Sequence, residues 1–155
     1  MGAGKTSVSR ELKKLLPHAV FLDGDNCWDA DPFVVTDETK EMVIDNITHL
    51  LGNFLSCTAY TNVIFCWVMN SESIVDAILS RLNLDCVNFR HFTLMLTKEA
   101  LSERLDGDIA RGIRLPDIKE RSAARLGDYD CVNSAKIDVS TISPREAAEK
   151  IEKML

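Results

Sequence analysis

The chain has 155 residues, 46% of them hydrophobic, and a formal net charge of −6. That length suits one domain, residues 1–155, with a sizeable core, and the acidic balance argues against nucleic acid or an anionic membrane surface as a partner. The five cysteines are odd in number, widely spaced and form no C-x-x-C. They suggest neither a disulfide framework nor a zinc site, and read as reduced thiols in a cytoplasmic protein. The longest clear apolar run, residues 63–69, is much too short to span a bilayer, and no signal peptide is visible.

The chain begins Met1-Gly2-Ala3-Gly4-Lys5-Thr6, the closing half of the phosphate-loop pattern G-x-x-x-x-G-K-[ST]. Small residues at 2–4 let backbone N–H groups curl around an anion. Lys5 then reaches the β- and γ-phosphates as a point charge, and the Thr6 hydroxyl is offered to Mg²⁺. Residues 7–16 read as a helix, with Val8, Leu12, Leu15 and Leu16 at helical spacing, so Ser7 sits in a first turn whose dipole faces the phosphates. Gly2, Ala3, Gly4, Lys5, Thr6 and Ser7 are therefore the expected nucleotide-binding set. The alternative is a glycine-rich start containing Gly-Lys-Thr by chance. The opening glycine of the pattern would precede Met1, and with it the strand that holds the loop.

Residues 19–22 form a short apolar run ending at Asp23-Gly24-Asp25-Asn26, a strand entering a polar loop. Two carboxylates one residue apart at a strand end can divide the work. One supports a magnesium shell through water; the other holds a substrate hydroxyl and takes its proton. The competing reading is a plain Asp-Gly turn. Trp28, Asp29, Asp31, Pro32 and Phe33 follow, and either shape an acceptor pocket or plug the core.

Thr36 is placed to cap a long helix, with Asp37 and Glu38 in its first turn and Val43, Ile47, Leu50, Leu51, Phe54 and Leu55 along one face. Residues 62–69 are β-branched, aromatic and apolar from Val63 on, as expected of a parallel strand covered on both faces. This strand ends without an aspartate of the Walker-B kind, so metal support falls to Asp23. A helix opens at Ser71, a strand is expected over residues 88–96, and Thr97 starts a helix carrying Leu101 and Leu105. The glycine- and charge-rich stretch 106–116 breaks the pattern, after which a helix resumes to about residue 127. A last strand spans 136–139, and Ser143-Pro144-Arg145-Glu146 is a capping box opening a terminal helix.

Arginines cluster late in the chain, at Arg104, Arg111, Arg114, Arg121 and Arg125. Mobile cations stabilise the charge spread by phosphoryl transfer, and a glycine-containing segment with Arg111 and Arg114 suits a closing lid. For any one of them, ion pairing on a solvated helix with the interleaved acids is the competing reading. The three histidines, at 18, 49 and 91, do not converge by spacing.

Strands alternating with helices imply an α/β fold with a parallel sheet. Together, the Gly2–Thr6 motif and Leu22-Asp23-Gly24-Asp25-Asn26 resemble the P-loop small-molecule kinases, namely the shikimate, gluconate and adenylylsulfate kinase group and nucleotide-kinase-like relatives. The resemblance implies a three-layer P-loop NTPase fold with strand order 2-3-1-4-5 and a lid at about 106–116. It implies ATP and Mg²⁺ as cofactors, Asp23 with Thr6 on the metal, Asp25 on the acceptor, and Lys5, Arg111 and Arg114 as catalytic groups. It also places residues 140–143 near the adenine.

The expected activity is transfer of the ATP γ-phosphate to a hydroxyl of a small-molecule acceptor, by a monomer or homodimer. A nucleotide-binding module without transfer activity is the other reading. In that strand order the absent strand is the central one, between residues 62–69 and 88–96. Met1 is accordingly expected to be internal to a longer natural protein, with about 8–10 residues missing, one strand plus the opening of the loop.

Overall fold

The computed structural model describes residues 2–155 apart from 113, 114, 116 and 125, and does not describe the Arg121 side chain. The first helix, α1 (Lys5–Leu15), turns Val8 and Leu12 inward and leaves Lys13 and Lys14 in its last turn, where they complement the helix dipole. It leads into strand β1 (Ala19–Asp23), then a single 3₁₀ turn (Gly24–Cys27), then helix α2 (Asp37–Ser56).

The start of α2 is fixed as its sequence requires. Thr36 Oγ1 accepts from the Thr39 N–H at 3.2 Å, and Thr39 Oγ1 accepts in return from the Thr36 N–H at 2.8 Å. Strand β2 (Asn62–Cys66), helix α3 (Glu72–Leu79), strand β3 (Phe92–Met95), helices α4 (Lys98–Ala110) and α5 (Ile118–Ala123), strand β4 (Ala135–Asp138) and helix α6 (Pro144–Glu152) complete the order. At α6 the Ser143 and Glu146 capping box closes with Pro144 in the first turn.

The four strands among the described residues run in parallel pairs. β1 lies against β2 in the register Ala19↔Asn62 to Asp23↔Cys66, and β3 lies against β4 from Phe92↔Ala135 to Met95↔Asp138. Side chains alternate across β2: Ile64 joins Val8 and Leu12 of α1 and Ala147, Ala148 and Ile151 of α6, while Val63 and Phe65 join Val43, Ile47 and Leu51 of α2 and Ile78 of α3. This gives three layers, with α1 and α6 on one face and α2 and α3 on the other. The two fully buried alanines, Ala147 and Ala148, let α6 lie close to α1.

The pairs β1–β2 and β3–β4 are not hydrogen-bonded to one another among the described residues. Between them lies a cavity of about 710 Å³ lined by Ile64 and Phe65 of β2, Thr93 and Leu94 of β3, and Leu12 of α1. It occupies the place that the order 2-3-1-4-5 gives to its central strand. The observed sequence of pairs, β1–β2 then β3–β4, is that order with its centre open.

Several bounds differ from the sequence reading. The ladder expected over 62–69 stops at Cys66, because its neighbour β1 ends at Asp23 and the chain there turns away into the 3₁₀ turn. The strand expected over 88–96 starts at Phe92, because its partner β4 starts only at Ala135, whose N–H donates to His91. The helix expected to run to about residue 127 is shorter, ending at Ala123, and a second 3₁₀ turn follows at Gly127–Cys131. Residues 106–110 were expected to break the helix, yet they continue α4 and turn Ile109 onto the Leu101, Leu105 and Ile118 cluster. That burial outweighs the roughly 1 kcal/mol cost of Gly107 within a helix. Among the described residues, no helix is long and apolar enough to cross a membrane.

Ile47 is 0% exposed at the centre of the α2 face. Ile47→Ala should lower unfolding free energy by about 2–5 kcal/mol in urea titration, through lost transfer energy and a residual cavity. A loss below about 1 kcal/mol would show that the α2 layer packs loosely.

Candidate functional site

The turn before α1 has the shape of an anion cradle. Gly2 (φ 83°) and Gly4 (φ 86°) both lie in the left-handed region, where only glycine is unstrained. Gly4 caps α1, whose first-turn N–H groups therefore open toward the turn. Gly2 has a second reason to lack a side chain, since a Cβ there would stand 2.8 Å from a methyl of Leu101 and 3.1 Å from one of Leu105. Thus α4 presses directly on the turn, and its residues 101, 104 and 105 share the contacting face at helical spacing.

The end of β1 meets the start of α1. Thr6 Oγ1 donates to Asp23 Oδ2 at 2.6 Å, and the other carboxylate oxygen of Asp23 accepts from the Asp25 N–H at 3.2 Å. One carboxylate thereby holds the helix start and the 3₁₀ turn together. The Asp25 side chain is exposed to solvent in that turn. Gly24, between the two acids, is buried beneath Trp67: a Cβ at position 24 would come within 2.5 Å of Trp67 Cγ. Trp67 thus sits against the acidic turn, and Trp28 and Phe33 pack on the next segment as a tilted pair with ring centroids 4.7 Å apart. Asn46 of α2 ties that segment down by donating to the Cys27 carbonyl at 3.2 Å.

Cys66 closes β2 level with Asp23. Burial chiefly, and the Asp23 carboxylate secondarily, push its thiol up from 9.0 to about 11, against smaller opposing effects of Ser9, Lys5 and Thr6. The group is therefore a neutral thiol at physiological pH, and the hard oxygen donors at this level are Thr6 and Asp23. Among the described residues no cluster of three or more His, Cys, Asp or Glu side chains gathers to hold a metal. Mg²⁺ is a hard ion that keeps several waters and binds through one or two protein oxygens and substrate phosphates. Thr6 and Asp23 fit such an ion.

The lid arginines are placed less favourably. Arg111 follows α4 and pairs with Asp108 at 2.8 Å, also donating to the Gly107 carbonyl at 3.2 Å; its side chain is 68% exposed. It adopts the ion-paired arrangement of a solvated helix end and is not brought to the Gly2–Thr6 turn. Arg114 and Arg125 lie outside the described residues, and so does the side chain of Arg121. Among the described arginines of the cluster, Arg104, unremarkable in the sequence, reaches the turn: it donates to the Ala3 carbonyl at 3.3 Å and to the Val139 carbonyl at the end of β4. Its helical spacing from Leu101 and Leu105 was the available signal. Ser140, in the stretch expected near adenine, accepts from the Thr97 N–H at 3.0 Å and so joins the β4 end to the start of α4.

The chain matches the family described as an AAA domain over residues 1–126, and it belongs to that family. Comparison with curated proteins finds no match. Among solved structures, it is similar to the tunicamycin resistance protein of Deinococcus radiodurans (TM-score 0.72, 19% identity, 99% of this chain and 89% of that one). It is also similar to an unliganded sugar kinase from Janibacter sp. HTCC2649 (TM-score 0.70, 13% identity, 98% of this chain and 87% of that one). At these identities the likeness establishes the fold.

Two outcomes test this description. Gly24→Ala should cost about 1–3 kcal/mol of stability in urea titration, because the added carbon meets the rigid stem of Trp67; a change within about 0.3 kcal/mol would mean that Trp67 is free to move away. A disulfide reagent at pH 8 should react rapidly with Cys57, Cys86 and Cys131, which are exposed, and with Cys66 only on unfolding. Rapid reaction of all cysteines in the native protein would contradict the burial of the β2 end.

Proposed function

We propose that this member of the AAA-domain family is an ATP-dependent, Mg²⁺-requiring phosphotransferase that moves the γ-phosphate of ATP to a hydroxyl of a small-molecule acceptor. The observation that carries the reading is the Thr6–Asp23 hydrogen bond at the head of α1, beside a turn with two left-handed glycines and one residue away from an exposed second carboxylate. A hydroxyl and a carboxylate in contact at an anion-binding helix start provide for a metal and for phosphate together.

In this reading the amides of Gly2, Ala3, Gly4, Lys5, Thr6 and Ser7 receive the phosphates, and the Lys5 ammonium neutralises charge on the β- and γ-groups. Thr6 and Asp23 would hold Mg²⁺, which when bound neutralises phosphate charge. Asp25 accepts a hydrogen bond from the acceptor hydroxyl and takes its proton as the oxygen attacks phosphorus. The bond from the γ-phosphorus to the bridging oxygen breaks, and ADP leaves with that electron pair. Arg111 can assist only by exchanging its Asp108 partner for phosphate, and Arg114 is assigned to the same lid by its position in the sequence. Trp28, Phe33 and Trp67 flank the acidic turn and supply apolar area for the acceptor. The acceptor class is approached first through sugars and tunicamycin, the compounds named in the two solved neighbours.

Isothermal titration with ATP and Mg²⁺, followed by turnover on an acceptor panel, tests the proposal. Lys5→Ala should weaken ATP binding at least about ten-fold. Asp25→Asn should leave ATP affinity within about two-fold while lowering turnover by roughly 10²–10⁴. Absence of ATP binding by the wild-type protein would refute the nucleotide site. Intact binding with no acceptor turned over would leave a nucleotide-binding module in place of an enzyme.

A further inference from the structure

The structure assigns Arg104 a positioning role: its guanidinium fixes the Ala3–Gly4 peptide so that the Gly4 N–H faces the anion. The inference rests on the phosphate reading of the Gly2–Thr6 turn and identifies what holds that turn in shape.

The geometry begins with the peptide unit. In a trans peptide the C=O and the N–H point in opposite directions. The Ala3 carbonyl and the Gly4 N–H belong to one such unit, and Arg104 Nη1 donates to that carbonyl at 3.3 Å. Holding the carbonyl on the α4 side turns the Gly4 N–H to the other side, where the start of α1 presents its own amides. The second arm of the guanidinium, Nη2, donates to the Val139 carbonyl. Val139 is 2% exposed, and its N–H donates back to the Met95 carbonyl of β3 at 2.9 Å. The planar fork therefore braces a loop of two glycines against a fixed point at the end of the β3–β4 pair.

Such a brace answers a physical need. Gly2 and Gly4 allow the left-handed turn and, for the same reason, allow the peptide between them to rotate. A loop that samples several orientations binds anion more weakly, by the fraction of time spent in the competent one. Leu101 and Leu105 restrict Gly2 by contact but offer no hydrogen bond. Arg104 supplies one from the same helix face. A lysine could not do both jobs, because an ammonium on a flexible stem lacks the fixed fork that reaches two carbonyls.

This role differs from two others open to an arginine near phosphate. Direct charge contact with the anion would be retained by lysine. Stacking on a nucleotide base would affect adenosine and leave an inorganic anion unaffected. Binding of tripolyphosphate, ATP and adenosine to wild type, Arg104→Lys and Arg104→Gln therefore separates the three, with the variants first checked for native thermal unfolding.

The brace predicts that both variants lose about ten-fold for tripolyphosphate and for ATP alike, with any affinity for adenosine unchanged. Retention of tripolyphosphate affinity by Arg104→Lys alone, a loss confined to the adenosine-containing ligands, or no loss in either variant would each overturn it. In ¹⁵N-glycine-labelled wild-type protein, saturating tripolyphosphate should shift the Gly4 amide resonance. A Gly4 resonance that does not move while tripolyphosphate binds would overturn the assignment with no variant needed. Failure of the wild-type protein to bind ATP or tripolyphosphate would remove the phosphate site itself, a result distinct from any of these.

Discussion

The contact between Thr6 and the Asp23 carboxylate is the point through which the rest of the site is organised. It joins the first turn of α1 to the last residue of β1, two elements that also share apolar packing. Because the second oxygen of the same carboxylate accepts from the Asp25 N–H, the direction of the chain after β1 is fixed by the residue that faces the helix start. A charged acceptor at this position makes both bonds stronger than neutral equivalents. The cost is a negative charge at the sheet end, met in part by the positive end of α1.

Around that contact the molecule is built to hold a small-residue turn without enclosing it. Gly2 meets Leu101 and Leu105, Gly24 meets Trp67, and in both places the absence of a side chain allows a helix or an aromatic ring to come close. Cys66 stands level with Asp23, and its burial keeps it neutral. A second carboxylate there would repel Asp23 and raise the cost of desolvating both. The strand end thus carries one acid in the sheet and one in the turn. The cavity between β2 and β3 has the opposite character. It is lined largely by apolar side chains of β2 and β3, and it separates the site's two supports: the acids lie on the β1–β2 side and the Val139 anchor on the β3–β4 side. Arg104 is one of the polar links from the turn to that far side.

Local signals in the sequence carried far. The caps at Thr36 and Ser143 and the helical faces of α1 and α2 were legible, because each depends on residues within one or two turns of one another, and the parallel character of the strands followed from their alternation with helices. Features set by partners distant in sequence were not. The end of β2 at Cys66 is decided by where β1 stops, and the start of β3 at Phe92 by where β4 begins. The fit of Gly24 under Trp67 and the reach of Arg104 to Ala3 join segments far apart in the chain. Among the arginines, composition alone favoured the glycine-containing stretch, whereas packing of Ile109 extends α4 through its first half and leaves Arg111 to an i,i+3 partner.

The most direct test of the Thr6–Asp23 site is a crystal structure of the protein with Mg²⁺ and a non-hydrolysable ATP analogue. The account predicts β- and γ-phosphates on the amides of residues 2–7, with the metal held between the Thr6 hydroxyl and Asp23. A nucleotide seated elsewhere, or a metal remote from both Thr6 and Asp23, would contradict it.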